Sequence, residues 1–394
     1  MNYKKKILCL TDYYLPGYQA GGPIRSIVNL VEHLGDEFEI YIICNDRDML
    51  DKDCYSNVKI DSWNIVDKAK VFYASQKSLN IRSYRKILNK TNYDLLFLNS
   101  FFSPKFTILP LILRQFLLIK KKPCVICPRG NLSPEALKLK GFKKKTYIEF
   151  FKLLNLYRDL NWQASSEHEK IHIINQFGNK VKKVDVVPDF TPLPLKSLNE
   201  FKTIDKSKNF LKLLFLSRVS PMKNLDFLLR VLFKVNTQVQ LSIFGPKEDQ
   251  IYWKKCLDLI NNLPANINVV IGEEVPQHQV FKIFQNHDLF ISPTRGEAFG
   301  NAIIESLSFG LPVLISDKTL WKADDFGGLE VLELEEHLWV QKITKWSKYD
   351  DQMIKKKCEA ALNYAKNDYK SNLALKKNKE LFHFVSSNNL VNKY

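Results

Sequence analysis

The chain has 394 residues, 45% hydrophobic and 26% charged, the composition of an ordinary globular protein, which excludes a disordered or fibrous one. Its longest apolar stretch, Phe106 to Ile119, holds Pro110, Arg114 and Gln115 and falls short of the roughly 20 residues a bilayer span needs. The 59 Lys and Arg against 42 Asp and Glu leave a net charge of +17, which asks for an anionic partner or a strongly solvated face.

In chain order, Lys6 to Leu10 reads as a first buried strand, and its apolar core is far too short for a signal peptide. A cytoplasmic location is therefore expected, with peripheral attachment to the inner face of the cell membrane as a further expectation. The loop after this strand ends in Gly21-Gly22-Pro23, and Ile24 to Leu34 has helical periodicity. A strand, a glycine pair and a helix start form a place where backbone can approach a phosphate or a sugar, although a lone glycine pair is also a common tight turn. Short apolar runs follow at Phe38–Cys44, Val71–Tyr73, Asp94–Asn99, Cys124–Cys127, Trp162–Ala164 and Val184–Val187. Helical segments at Leu79–Lys90, Phe106–Ile119 and Lys144–Leu156 separate them, and that alternation predicts a doubly wound parallel sheet.

Between Lys120 and Arg158 stand eleven Lys and Arg against Glu135 and Glu149, interleaved with Phe142, Tyr147, Phe150, Phe151, Leu153 and Leu154. This is a basic, aromatic, helical stretch of the kind that rests on anionic lipid, or simply a solvated face. The seven cysteines are scattered; Cys9, Cys44 and Cys124 lie in strand-like runs as small reduced hydrophobes, and Cys124-x-x-Cys127 lacks the second cluster a zinc site requires.

Residues 191–208, with two prolines followed by a polar run, read as a linker. A second alternation begins at Leu211–Leu216 and runs through the helix Asn224–Phe233, the strand Val239–Phe244, the helix Gln250–Asn261, the strand Ile267–Ile271 and the helix Gln277–Phe284. Arg218 and Lys223 sit directly after its first strand, a spacing that taken alone is also common in a basic surface turn. There is no G-x-G-x-x-G after the first strand and no Walker-type loop, which counts against a nicotinamide enzyme and a P-loop NTPase.

The most informative stretch is DLFISPTRGEAFGNAIIESLSFGLPVLIS, Asp288 to Ser316. It reads as a strand, a glycine-containing loop, a helix from about Gly300-Asn301 to Gly310, and another strand. Glu297 lies in the loop and Glu305 in the helix, with Ile303, Ile304 and Leu307 on the inward face. The N–H groups of Phe299, Gly300, Asn301 and Ala302 are expected to offer an anion site at the helix start. Eight residues would rise about 12 Å if helical throughout, beyond the roughly 5 to 9.5 Å separating the acid and base of a glycosidase, so the two carboxylates read as contacts along one long ligand. A phosphate between them with hydroxyls at both ends describes a nucleotide sugar.

The pattern E-x7-E at Glu297 and Glu305, followed by Gly310, Pro312, Val313 and Ser316, resembles the retaining GT-B glycosyltransferases of family 4, also called group 1. The R-x4-K element of Arg218 and Lys223, the Gly21-Gly22 loop and the Ser165-Ser166-x-x-Glu169 helix start resemble elements of the same family. The resemblance implies an α/β, GT-B fold: two Rossmann-like doubly wound domains facing across a cleft. The implied domains are an acceptor-side domain over 1–190, the linker, a donor domain over 209–370, and a C-terminal helix over 371–394 that packs back on the first domain. It also implies roles: Glu297 to donor-sugar hydroxyls, Glu305 to the ribose, Arg218 and Lys223 to the diphosphate. Many members carry a histidine where Arg129 stands here; the Pro128-Arg129-Gly130 loop resembles a branch that builds bacterial surface polysaccharides, and Arg129 is either a catalytic-site cation or a structural one. Phe244-Gly245-Pro246 departs from the family's frequent glycine pair, which bears on the nucleotide's identity.

The implied function is retaining transfer of a sugar from a UDP or GDP sugar to a glycan or lipid-linked oligosaccharide in capsule, O-antigen or exopolysaccharide synthesis, with no cofactor and no metal required. The alternatives are a sugar-nucleotide epimerase of the same architecture and, from another class, a nucleic-acid binder using the basic surface. The expected partners are the donor, the acceptor and an anionic membrane surface through residues 120–158, without nucleic acid.

Overall fold

A computed structural model describes residues 4–138, 141–181, 183–190, 210–275, 277–297, 299–367 and 371–387. The expected linker over 191–208 lies outside the described residues. Residues 4–190 together with 371–387 form one compact unit and residues 210–367 another.

The first unit is built on eight strands: β1 (Lys6–Leu10), β2 (Glu39–Asn45), β3 (Trp63–Val66), β4 (Ala69–Ala74), β5 (Leu95–Leu98), β6 (Cys124–Ile126), β7 (Asn161–Ala164) and β8 (Val184–Val186). Their order across the sheet is β3-β4-β2-β1-β5-β6-β7-β8, parallel except for β3. Because successive side chains point to opposite faces, β1 and β5 supply both cores. Leu8, Leu10, Leu96 and Leu98 face one with Trp162 and Ile148, while Ile7, Cys9, Leu95 and Phe97 face the other with Ile27 and Leu30. The central strands are therefore apolar throughout, as a parallel sheet covered on both sides requires.

Helix Ser371–Ser387 completes the second of these cores with Ala374, Leu381, Phe382 and Val385. The Phe382 ring meets Phe97 at 5.5 Å and Phe38 at 5.9 Å, both edge-on. Asn378 Nδ2 donates to the Pro188 carbonyl at 3.0 Å, and Lys377 Nζ donates to that of Val186 at 3.1 Å.

Two local expectations change. The pairing of β3 with β4 is an antiparallel edge hairpin turned at Asp67, whose φ is +50°; Trp63 leans edge-on against Tyr41 at 5.2 Å and Phe72 at 5.4 Å. The single helix expected over Phe106–Ile119 is a wider turn, Pro104–Ile108, followed by a short helix, Leu109–Gln115. Pro110 has no N–H for the preceding turn, and Ser103 caps it by accepting from Phe106 N at 3.1 Å.

The second unit has six parallel strands: β9 (Leu211–Leu216), β10 (Val239–Phe244), β11 (Ile267–Ile271), β12 (Leu289–Ser292), β13 (Val313–Ser316) and β14 (Leu329–Leu332), in the order β11-β10-β9-β12-β13-β14. The chain steps outward from β9 to β11, then returns to the other side of β9 with β12. That reversal creates a crevice at the carboxyl ends of β9 and β12, the usual ligand position in open α/β sheets. Leu213, Leu241 and Ile291 pack one face with Trp339 and Trp346; Leu214, Phe290 and Ile315 pack the other with Ile304 and Leu307. Among the described residues no helix is long and apolar enough to cross a membrane.

Candidate functional site

In the second unit, the loops after β9 and β12 are knitted together by backbone and side chain. Arg295 N donates to the Met222 carbonyl at 2.8 Å, and Thr294 Oγ1 donates to the same oxygen at 3.1 Å. Asn224, in the left-handed region at φ +60°, opens helix Leu225–Phe233; its Nδ2 donates to Pro293 O at 3.0 Å and its Oδ1 accepts from Arg295 Nε at 3.0 Å. Ser316 Oγ at the end of β13 donates to Thr294 O at 2.5 Å. These bonds bring Lys223 beside Glu297, and the two form an ion pair whose side chains are 16% and 20% exposed.

Gly300 shapes the next step. Its φ is +83°, and a Cβ there would lie 2.7 Å from Ile303 Cδ1 and 3.0 Å from Glu297 Cγ. A side chain there would press on both Ile303 and Glu297 and would be strained by the backbone itself. Helix Asn301–Ser308 begins directly after it, with no side-chain cap on its first turn, so the positive end of its dipole lies at the end of the loop that carries Glu297. Phe299 is held by Trp321, whose Nε1 donates to the Phe299 carbonyl at 2.6 Å and whose ring lies 5.7 Å from the phenyl ring. Glu305 is buried in the second turn of the helix, alongside Ile303, Ile304 and Leu307.

Arg218 leaves β9 in a different direction. Its side chain is 52% exposed, and Nη1 lies 3.7 Å from Glu248 Oε2 on the loop after β10. That loop is seated on β9: Ser217 N donates to Phe244 O at 3.0 Å and Val219 N to Pro246 O at 2.8 Å. Lys247 Nζ donates to Gly272 O at 2.6 Å, and burial lowers the affinity of that amine for its proton.

In the first unit the corresponding reversal lies between β1 and β5. Gly21 precedes helix Gly22–Leu34, and a Cβ added to it would meet nothing within 4 Å, so the space beside Gly21 is open. Asn99, just past β5, donates from Nδ2 to Pro23 O at 3.0 Å. Its Oδ1 accepts from Arg129 Nε at 2.8 Å, and the Arg129 guanidinium pairs through Nη1 with Asp189. Asp189 in turn accepts from Ser26 Oγ at 2.9 Å.

Burial works against the charge of Arg129, but Asp189, with Cys127 and Glu169 nearby, holds its proton more tightly than in an ordinary arginine. Of the two roles open to Arg129, the geometry displays a buried tie joining the loops after β5, β6 and β8 to the first helix. Glu169 does similar work for Gly130, whose N donates to Oε1 at 2.6 Å, while Ser165 N and Oγ each reach Oε2 at 2.7 Å. His168 is exposed, and Ser166 caps helix Glu167–Phe177 by accepting from Glu169 N at 3.2 Å.

The candidates thus fall into two sets within separate units: Arg218, Lys223, Glu297, Phe299, Gly300, Asn301 and Glu305 in the second; Gly21, Gly22 and Arg129 in the first. Sequence reading missed Asn99 and Asp189, the partners of Arg129, Ser26, which donates to Asp189, and Glu248, the partner of Arg218. Among the described residues no group of three or more His, Cys, Asp or Glu is placed to hold a metal ion. Six of the seven cysteines are buried, and burial pushes the Cys124 thiol up to about 12.

Residues 197–323 match the family model of the glycosyl transferases group 1. That segment contains every second-unit candidate. Among curated relatives, an uncharacterized protein in the cps region of Klebsiella pneumoniae is 24% identical over 311 residues, covering 75% of this chain and 78% of its own. An uncharacterized glycosyltransferase of Methanocaldococcus jannaschii is 26% identical over 273 residues, 64% of this chain and 65% of its own. Among solved structures, Anabaena HepE in complex with UDP-glucose superposes with a TM-score of 0.68 at 18% identity, over 97% of this chain and 99% of that one. S. aureus TarM, in a complex containing UDP, gives 0.66 at 14% identity over 96% and 99%. The fold is GT-B.

Proposed function

We propose that the protein is a retaining glycosyltransferase that moves a sugar from a nucleoside diphosphate sugar of the uridine type to a glycan or lipid-linked oligosaccharide in cell-surface polysaccharide synthesis. The observation that carries this reading is the Lys223–Glu297 pair at the strand-order reversal of the second unit, beside the uncapped start of helix Asn301–Ser308. A diphosphate entering there meets a lysine cation and the positive end of the helix dipole, both of which favour negative charge. The same groups stabilise the charge that grows on the leaving nucleotide as the bond between the sugar and the phosphate oxygen breaks. Glu297, released from Lys223 by the incoming phosphate, becomes an acceptor for sugar hydroxyls; Glu305, one helix turn deeper, is assigned to the ribose, and Arg218 to the outer phosphate in exchange for Glu248. The uridine preference follows the UDP and UDP-glucose complexes of HepE and TarM, and the polysaccharide setting follows the cps-region relative.

Thermal stabilisation by a panel of nucleotide sugars, followed by nucleotide release with and without acceptor extracts, tests the proposal. Stabilisation by a uridine diphosphate sugar and acceptor-dependent release are expected, both lost in Lys223→Ala and Glu305→Ala variants that remain folded. Full activity in both variants would overturn it, and donor turnover that needs no acceptor would make the protein an epimerase instead.

A further inference from the structure

Helix Gly141–Leu153 of the first unit is apolar on two sides. Tyr147, Ile148 and Phe151 pack inward, with Tyr147 edge-on to Phe102 at 5.4 Å and Phe151 edge-on to Tyr147 at 4.7 Å. On the opposite side Phe142 is 87% exposed, Phe150 55% and Leu153 78%. At 3.6 residues per turn these three fall within about 80° of one another around the helix axis. Lys143 and Lys145, both exposed, lie on either flank of that stripe. The one carboxylate on it, Glu149, is neutralised by Lys152, whose Nζ sits 2.7 Å from Oε1.

The stripe continues past the helix. Leu154 is exposed at its end, in the connection that leads to the amino end of β7. The connection to the amino end of the neighbouring β6 carries exposed Phe116 and Leu117, followed by exposed Lys120 and Lys121. The two connections are fastened together, because Lys121 Nζ lies 3.0 Å from Asp159 Oδ2 and Arg114 Nη2 donates to Asp159 O at 3.4 Å. Large apolar side chains exposed in a row are unusual on a soluble surface. Here lysines border them, in a chain of net charge +17.

We infer that this face is a docking surface for an anionic lipid bilayer, on which helix Gly141–Leu153 lies in the plane of the headgroups with Phe142, Phe150 and Leu153 inserted at the acyl boundary and Lys143 and Lys145 against lipid phosphates. Charge complementarity selects the occupant. A bilayer offers apolar depth beneath a negative sheet, matching an apolar stripe with cationic borders, whereas nucleic acid offers the charge without the apolar depth. The attachment is interfacial, through one face of a helix and two turns.

The test is co-sedimentation of the full chain with vesicles of phosphatidylcholine alone and of phosphatidylcholine containing phosphatidylglycerol, with melting temperature and UDP-induced stabilisation measured on the same samples. Binding to the anionic vesicles that weakens with salt is expected, with little binding to the neutral ones. Replacing Phe142, Phe150 and Leu153 by Ser, or Lys143 and Lys145 by Glu, is expected to lower partitioning about tenfold or more while the response to UDP stays as in the parent. Phe142→Ser alone, at the most exposed position, serves if the triple variant melts early, and is expected to lower partitioning several-fold. A parent protein that stays in the supernatant, variants that sediment like the parent, or binding to DNA in place of vesicles would each overturn the inference. Loss of the UDP response in the parent would instead count against the transferase reading and leave the vesicle result to stand by itself.

Discussion

The Lys223–Glu297 pair makes opposite demands on two single substitutions. In the structure the cation is already neutralised by an internal carboxylate, and with side chains 16% and 20% exposed the pair is largely shielded from water. An incoming diphosphate must displace that carboxylate, so part of its attraction to Lys223 is spent on separating the pair. A pair at this depth is worth about 1 kcal/mol, the upper end for partly exposed ion pairs. Glu297→Gln keeps the shape of the loop, frees the lysine, and is expected to tighten UDP binding about fivefold while sugar transfer falls about a hundredfold. Lys223→Ala removes a charge-assisted contact of about 1.5 to 3 kcal/mol and is expected to weaken UDP binding about 10- to 100-fold, with transfer falling further. Calorimetric titration with UDP, run beside a nucleotide-release assay, separates the two. Equal loss of UDP affinity in both variants, or unchanged affinity in Lys223→Ala, would refute the idea that the carboxylate and the phosphate compete for one lysine.

Three further outcomes concern the frame around the sites. Gly245, at φ +127°, brings the loop after β10 onto β9, and an added Cβ would lie 2.2 Å from the Ser217 carbonyl oxygen; Gly245→Ala is expected to cost about 2 to 4 kcal/mol in denaturant unfolding, and a cost below about 0.5 kcal/mol would mean the loop does not need this approach. Burial alone would raise the Asp226 carboxyl, but hydrogen bonds from Lys255 at 2.7 Å, Tyr252 at 2.6 Å and Arg230 at 3.1 Å bring it down to about 2. A carboxyl whose folded value lies below its unfolded one stabilises at pH above about 4 and loses that contribution as pH falls towards 2, so Asp226→Asn is expected to remove about 2 kcal/mol at neutral pH and to flatten the stability profile across that window. Arg129→Ala removes the buried ion pair with Asp189 and the hydrogen bond to Asn99, and is expected to lower stability by about 3 to 5 kcal/mol, read as a lower melting temperature. An Arg129→Ala protein of parental stability but without transfer activity would make Arg129 a group that acts on substrate.

How much of this was legible in the sequence depends on the distance between partners. The strands Lys6–Leu10, Val239–Phe244 and Ile267–Ile271 and the helix Gln250–Asn261 have the bounds their periodicity predicts, because a buried run and its turn signals are local information. Glu297, Gly300 and Asn301 were readable for the same reason: strand, loop and helix follow one another within fifteen residues or so. The β3 strand escaped because an edge strand alternates weakly and lies in a polar region, and its pairing depends on a turn at Asp67 that any hydrophilic loop resembles. Arg129 was recognised as unusual, but its meaning was not legible. Its partners Asn99 and Asp189 stand 30 and 60 positions away, and Ser26 lies 163 positions from Asp189, joined only when the sheet assembles. The pairing of Arg218 with Glu248 required the same knowledge, that the loops after β9 and β10 share an edge.

The membership of helix Ser371–Ser387 in the first unit carries a consequence for biosynthesis. Ala374, Leu381, Phe382 and Val385 are structural members of a core whose other buried residues, from Ile7 to Phe190, leave the ribosome far earlier. The second unit, later in sequence, has all its strands contiguous in the chain and can close its two cores while the first still lacks its final helix. The apolar surface around Phe38 and Phe97 is therefore covered only once that helix has been made, so the core of the first unit closes after the second unit has been synthesised.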